Sequence, residues 1–300
     1  MIDNLPNLIA FARVVSAGSL SAAAREMDMS LAVVSKRLAQ LEESLGVRLI
    51  QRTTRRQTLT EEGALFHHQV LRILAEVEQA ETLMSGRRDV VSGVLRVSAP
   101  GAIGRQWIAP IMADFQQLHP HLTVQLELTD VVVDLLDSGL DMAVRFGSLA
   151  DSSMIARPLA PNYRVLVAAP AYVSQYGMPQ TPDDLTRHRC ILIGDQARAE
   201  WRFEGAEPVG VRVTGALITN DGAAAHAWAL HGVGIGVKSI WDVGDDIAAG
   251  RLVRILPAHS MPAAPLHALY PHNRHLAPRV RGFIDYLRER LRDAWRWDKA

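Results

Sequence analysis

Apolar residues recur at helical spacing in several runs along the first ninety positions. Leu5, Leu8, Ala12 and Val15 form one stripe, with Pro6 tolerated in a first turn and Gly18 as a stop, and predict a helix over 5–17. Ser21 is the expected cap of a short helix over 21–27, rich in alanine (Ala22, Ala23, Ala24). After the turn Asp28-Met29, Ser30 caps a third helix. Its stripe of Val34, Leu38, Leu41 and Leu45 steps by four, three and four before Gly46 ends it. At about 100° per residue, the opposite side carries Ala32, Lys36, Ala39 and Glu43, with Ser35 beside them. Residues 47–50 and 57–59 read as two short strands joined by a polar turn over 52–56. Thr60 then caps a long helix that opens on Glu61-Glu62. Along it Phe66, Val70, Ile73, Val77, Ala80 and Met84 alternate steps of four and three, the repeat of a coiled-coil seam. Leu71 and Leu74 widen this apolar face, so the helix is expected to pair with a second copy rather than pack only on its own domain. Residues 85–89 read as a hinge.

From residue 93 the pattern changes to short β-rich runs alternating with amphipathic helices. Strands are expected at 94–99, 122–128, 141–146, 163–169, 190–193, 209–213, 216–219, 235–237, 252–256 and 266–270. Helices are expected at 105–118, 131–138, 171–176, 182–188, 221–231 and 277–295. This order makes an α/β architecture with mixed sheets.

Composition sharpens the picture locally rather than globally. The chain has 300 residues, which suggests two or three domains; it is 48% apolar and 21% charged, enough for sizeable cores. Its formal net charge is zero, yet Lys36, Arg37, Arg48, Arg52, Arg55 and Arg56 fall together against only Glu42 and Glu43. Small residues around a lysine on a helix face let that helix approach a major groove, and an arginine-tipped hairpin can sit on phosphates. From the helix alone a solvated face is the better reading; helix and basic wing together are more specific. Two short helices joined by a tight turn, the second with a polar outer face, make a helix-turn-helix. Cys190 is the sole cysteine, so no internal disulfide forms and a reducing compartment is the default. MIDNLPNLIAF lacks the basic start of a signal peptide, and no apolar run approaches a membrane span. A soluble, cytoplasmic protein with no membrane partner is expected.

Chemical motifs are few. Gly232, Gly234 and Gly236 in GVGIGV imitate a dinucleotide loop, but they follow a helix and enter a strand, the reverse of what that loop requires, and read as a turn. No converging acid, base and nucleophile is found, so no catalytic residue is assigned and the chain is not read as an enzyme. His67 and His68 are adjacent on a helix, His119 and His121 flank Pro120, and His272 and His275 share a loop. Surface or capping roles suit them better than metal ligation, and no metal or cofactor is expected. Trp201 reads as a packing residue.

Residues 3–64 carry the alanine-rich helix, VSKRLAQLEESLGVRL, RTTRR and LTEEG in an order and spacing similar to the N-terminal domain of LysR-type transcriptional regulators. RFGSLADSSMIARPLAPNYRVLVAAPAYVSQYG and GRLVRILP resemble one large subgroup, so the resemblance covers nearly the whole chain. It implies a winged helix-turn-helix over 1–59, a linker and dimerisation helix over 60–88, and a two-lobed α/β effector-binding domain of the periplasmic-binding-protein type over 93–300. Lobe 1 would take about 93–160 and 266–300, lobe 2 about 163–263, with crossovers near 160–162 and 263–266. The resemblance puts the third helix in the major groove and the wing on the backbone or minor groove. The contacts would fall on Leu31, Ala32, Ser35, Lys36, Arg52, Thr54, Arg55 and Arg56. Leu31-Ala32 departs from the Gln-Pro or Gln-Ser common in the family, and Leu31 cannot pair with adenine as glutamine can.

By position, an effector would be lined by Ala99, Pro100, Gly101, Thr129, Asp130, Phe146, Gly194, Asn220 and Val237, with Arg145 and Lys238 adding positive charge that suits a carboxylate. In the alternative, Arg145 holds a structural ion pair and Lys238 is solvated. The implied partners are double-stranded DNA with a pseudo-palindromic promoter site, a small-molecule effector, further copies of the chain (dimer or tetramer) and RNA polymerase. Two other readings stand beside this one. The first is an enzyme or transport-type solute-binding module with an accessory DNA-binding domain. The second is a DNA-bound structural protein whose C-terminal fold takes no ligand.

Overall fold

The computed structural model describes residues 4–52, 57–84, 91–131, 135–147, 154–205, 207–271 and 276–297. Two compact units form, one centred on Met1–Val90 and the other on Val91–Leu135 and Leu140–Ala300.

The N-terminal unit comprises α1 (Leu5–Ala17), α2 (Leu20–Glu26), α3 (Leu31–Leu45), the hairpin β1 (Ile50–Arg52) and β2 (Gln57–Leu59), and α4 (Glu61–Met84). Its core gathers Leu8, Phe11, Val14, Ala23, Val34, Leu38, Leu41, Leu49, Ile50 and Val70. The buried face of α1 is centred on Phe11, with Leu5 and Val15 only at its margin. Ser19, not Ser21, caps α2: its hydroxyl accepts from the Ala22 amide at 3.1 Å, which starts the helix one residue early. Ser30 accepts from the Val33 amide at 3.3 Å and Gly46 closes α3 in the left-handed conformation, as their positions predict. The first wing strand begins at Ile50 rather than at residue 47. Ahead of it, Glu42 Oε1 accepts from the Leu49 and Ile50 amides at 2.8 and 3.2 Å and pins the approach to the hairpin onto α3. Thr60 Oγ1 accepts from the Gly63 amide at 2.8 Å, capping α4, and donates to the Arg48 carbonyl at 2.7 Å. A Cβ at Gly63 would lie 1.9 Å from the Leu49 carbonyl oxygen, so only glycine lets α4 start this close to the wing.

The seam expected along α4 is divided. Val70 is fully buried in this unit's own core, and Phe66, Leu71 and Leu74 pack on the same core. Phe66 meets Phe11 with ring centroids 5.8 Å apart. The first half of the face therefore covers the winged helix-turn-helix of its own chain. Ile73, 40% exposed, is left outside this core. The side chains of Ala80 and Met84, and the hinge at 85–89, lie outside the described residues.

The C-terminal unit begins with β3 (Gly93–Ala99), α5 (Gly101–Ile103), a π-helical turn (Gly104–Ile108) that continues into α6 (Ala109–Leu118), β4 (Leu122–Leu128), α7 (Leu135–Ser138), β5 (Met142–Phe146) and β6 (Met154–Ala160). It continues with β7 (Arg164–Ala168), α8 (Pro170–Tyr176), a 3-10 turn (Pro182–Arg187), β8 (Cys190–Ile193), β9 (Arg198–Phe203), β10 (Val209–Thr219), α9 (Gly222–Leu230), β11 (Ile235–Ser239), α10 (Ile240–Ala248), β12 (Val253–Ile255), β13 (Leu266–Pro271) and α11 (Pro278–Ala294). One sheet has the order β4-β3-β5-β13-β6, the other β12-β7-β11-β8-β10-β9. The chain therefore leaves the first sheet after β6 and returns to it at β13. The two passages are tied together: Asn162 Nδ2 donates to the Ala264 carbonyl at 2.7 Å, and Asn162 Oδ1 accepts from Ser239 Oγ at 2.6 Å.

The pattern reading missed four elements, the single turn α5, β6, β9 and α10. Strands β6 and β9 are sheet edges, each pairing with a single neighbour, and RAEWRF carries charges on its open side. Residues 209–213 and 216–219 are one strand, β10, with a register shift between Gly215 and Leu217. Its first half runs antiparallel to β9 and its second half parallel to β8, and this change of partner is what the break in pattern marks.

A single apolar core spans both sheets, joining Leu95, Val97, Val144, Leu266, Phe283 and Leu287 to Val165, Val167, Ile191 and Trp241. Alternate residues of β7, Leu166 and Ala168, face a second core with Tyr172, Cys190, Trp201 and Phe203. Beside the passages lies an aromatic block. Trp107 of the π-helical turn meets Trp241 of α10 edge-on at 5.0 Å, and Trp297, beyond α11, lies 4.9 Å from Trp241 and 6.0 Å from Trp107. Trp241 Nε1 donates to the Pro161 carbonyl at 2.9 Å, which fixes the block to the first passage between the sheets.

Candidate functional site

On α3, Val34, Leu38 and Leu41 sink into the core and so turn the opposite side outward. Leu31, Ala32 and Lys36 are exposed there, and Ser35 is half-buried beside them. Val33, not singled out from the sequence, is also exposed next to Leu31. Arg52 ends β1; Thr54, Arg55 and Arg56 lie outside the described residues. The outward surface of α3 is therefore small, mostly uncharged and centred on one lysine, a shape that fits a groove.

The C-terminal unit holds a cavity of about 580 Å³ whose walls come from both sheets. Of the positions predicted for an effector, Pro100, Asp130, Arg145, Phe146, Val237 and Lys238 line it. The other five stand back from it. Ala99 is fully buried in the core, and Gly101 is buried with its amide donating to Asp130. Thr129 turns its hydroxyl to the Val131 amide, Gly194 bonds back to the Thr219 carbonyl, and Asn220 is exposed. Residues not expected at an effector site also line the cavity: Asn162, Glu200, Arg202, Ser239, Asp242 and Trp201, the last read from the sequence as a packing residue. Most belong to β9 or to the start of α10, elements that the pattern hid. The available signal was Ser239 followed three residues later by Asp242, a helix-start signature.

The charges of the cavity are not distributed as either sequence alternative had them. Lys238 is buried and bonded, its Nζ 2.6 Å from the Gly222 carbonyl and 3.1 Å from Asp242 Oδ2. Among the described residues Arg145, 7% exposed, donates only to neutral oxygens: to the Val144 carbonyl and Ser98 Oγ at 2.8 Å each, and to the Val131 carbonyl at 3.3 Å. Among the described residues no carboxylate lies within ion-pair distance of it. Burial pulls its pKa below the ordinary arginine value, against the more distant pull of Asp130 and Glu127. So, among the described residues, the lysine holds the ion pair and the arginine is the cation without one.

One carboxylate links the two lobes across the cavity. Asp130 Oδ1 accepts from the Gly101 amide at 3.0 Å and Oδ2 from the Gly222 amide at 2.8 Å, at the starts of α5 and α9. Glu200 pairs with Arg202 at 2.8 Å on the exposed rim. Asp242 Oδ1 is buried and has no hydrogen-bond partner. The arrangement offers an anion a buried guanidinium and offers a donor a buried carboxylate oxygen. The Cys190 thiol is buried behind β8, and burial pushes its pKa up to about 12. Among the described residues no single helix is long and apolar enough to cross a membrane.

Comparison with known proteins agrees with this division. Residues 5–64 match the bacterial regulatory helix-turn-helix protein family of lysR type, and residues 88–292 match the LysR substrate binding domain. The HTH-type transcriptional regulator DmlR of Escherichia coli strain K12 is 37% identical over 96% of this chain and 95% of its own. The solved structure of CrgA, a LysR-type regulator from Neisseria meningitidis, is 32% identical, covers 96% of this chain and 99% of its own, and superposes with a TM-score of 0.62. The full-length Vibrio cholerae virulence activator AphB is 26% identical over 95% of this chain and 98% of its own, with a TM-score of 0.59. A DNA-binding helix-turn-helix followed by a substrate-binding domain, in a family of transcriptional regulators rather than enzymes, accounts for both units, and this chain belongs to the LysR family.

Proposed function

We propose that this LysR-family regulator reads a specific promoter site with α3 and the wing, and that a small carboxylate bound between its lobes sets its effect on transcription. Leu31, Ala32, Ser35 and Lys36 face the bases, with Arg52, Thr54, Arg55 and Arg56 on the phosphates. Residues 1–59 bind DNA, 60–88 pair two copies on a pseudo-palindromic site, and 93–300 sense the ligand in contact with neither membrane nor DNA. The setting is cytoplasmic, where RNA polymerase is the receiving partner. The observation that carries the ligand reading is Arg145, a buried guanidinium on the wall of a cavity of about 580 Å³ with no carboxylate within ion-pair distance among the described residues. Two lobes that share a hinge and a charged cleft can change their relative placement on binding, and so the spacing of two DNA-binding units. Thiol chemistry offers no second reading, because the single cysteine is buried and its thiolate strongly disfavoured.

The test has two arms. Lys36→Ala weakens operator binding by about 1–3 kcal/mol in an anisotropy titration at fixed salt, and unchanged affinity rejects α3 as the reading element. Arg145→Met abolishes the thermal stabilisation by carboxylates that the wild-type chain shows; if stabilisation is kept, the ligand lies elsewhere.

A further inference from the structure

The cavity has three carboxylates on its walls, Asp130, Glu200 and Asp242. Two are engaged. Both oxygens of Asp130 accept backbone amides, and Glu200 is paired with Arg202 on the rim. Asp242 is different. Its side chain is 8% exposed; Oδ2 takes the Lys238 ammonium at 3.1 Å, while Oδ1 accepts nothing. Among the described residues it is the one residue that both lines the cavity and holds a buried side-chain oxygen without a hydrogen-bond partner. The neighbouring polar groups are directed to other acceptors. Ser239 Oγ donates to Asn162, whose amide nitrogen donates to the Ala264 carbonyl, and Lys238 is already shared between Asp242 and Gly222. An ionised carboxylate only accepts, so what this oxygen lacks is a donor. Buried acceptors are normally paired, and a carboxylate with an unmet acceptor on the wall of a ligand-sized cavity points to the ligand.

We propose that the effector carries a hydrogen-bond donor, a hydroxyl or an ammonium group, beside its anionic group, and that the Asp242 carboxylate receives this donor. The proposal rests on the reading of the cavity as the effector site and adds the ligand's second group. Arg145 projects from β5 of the first sheet, and Asp242 lies in α10, beside the second. A molecule with both groups is therefore held by its anion on one lobe and by its donor on the other. A plain acid satisfies Arg145 alone, and a second negative group placed at Asp242 is repelled.

The experiment uses the full-length chain and three matched sets of acids in calorimetric titration: butanoate with 2-hydroxybutanoate and 2-aminobutanoate, phenylacetate with mandelate and phenylglycine, and glutarate with 2-hydroxyglutarate and glutamate. In at least one set the hydroxy or amino member binds about tenfold or more tightly than its parent, since a site built around a hydrogen bond rejects the analogue that lacks it. Which of the two wins identifies the donor as neutral or charged. Asp242→Asn removes most of that advantage. The donor pairing is overturned if parent acids bind as well as their partners, if the advantage survives in Asp242→Asn, or if none of the nine acids binds. Arg145→Met separates the two levels. If it abolishes binding of acids that show no donor preference, the cavity stands and only the donor falls; if acids still bind to it, the cavity reading itself falls.

Discussion

Gly244 lies mid-way along α10, buried and in helical conformation. Nothing in its backbone asks for glycine, and alanine is the better helix former by about 1 kcal/mol. Yet a Cβ here would sit 2.1 Å from Trp297 Nε1 and 2.5 Å from Cε2, so Gly244→Ala must expel the Trp297 ring. That ring packs against Trp241 at 4.9 Å, Trp295 at 5.6 Å and Trp107 at 6.0 Å, and the Arg296 guanidinium lies over it at 5.1 Å. Each aromatic pair contributes about 0.5–1.5 kcal/mol beyond its buried area, and an exposed cation–π contact about 0.5–1 kcal/mol. Losing them outweighs the propensity gain, leaving a net destabilisation of about 1–4 kcal/mol. In a Trp297→Ala background the obstruction is gone, and the same substitution stabilises by about 1 kcal/mol. The reversal of sign is the signature. Urea unfolding followed by tryptophan fluorescence measures it in the C-terminal unit alone, because all six tryptophans lie beyond residue 100. If Gly244→Ala stabilises the otherwise unaltered chain, or costs the same in both backgrounds, Trp297 does not close the aromatic block over α10.

Pairing of two copies is tested on the part of α4 that its own domain does not cover: Ile73→Glu with Val77→Glu yields a smaller species by light scattering and weak binding to a two-half-site operator, while Val70 and the winged helix-turn-helix core stay intact. A fully oligomeric double variant moves the interface elsewhere. The pH dependence has a named contributor in His188, whose Nδ1 lies 3.0 Å from the Tyr172 hydroxyl. Burial holds its pKa below the ordinary 6.5, against the opposing charge of Asp184. As pH falls through about 6.5 the unfolded chain takes up a proton that the folded chain refuses, so stability drops with acidification until the folded pKa is passed. His188→Gln shows a smaller loss of melting temperature between about pH 7.5 and pH 5.5 than the parent, and equal losses would exclude this histidine.

Features legible in the sequence were those whose partners lie within a few residues. Ser30 reaches the Val33 amide and Thr60 the Gly63 amide, and such caps need only local geometry. Ser19 escaped because two serines flank the same helix start and only the resulting turn selects one. The stripe on α3 was readable because one face of a short helix must be buried. The stripe on α4 was readable as apolar, but its spacing carries no word on what covers it, and Phe11 and its neighbours cover half.

In the cleft, six of the eleven expected positions line the cavity, because the ends of β3, β4, β5 and β11 could be placed from their runs. Edge strand β9 and helix α10 could not, and they bring Trp201 and Asp242. By itself the sequence determined the family, the order of the elements, the outward side of α3 and the presence of two cations near one cleft. Tertiary structure alone decided which cation is left without an ion pair. Arg145 meets Ser98, 47 residues away, while Lys238 meets Asp242 across a strand-to-helix boundary and Gly222 at the start of α9. The charge state of a site depends on distances between segments, and a linear pattern contains none of them.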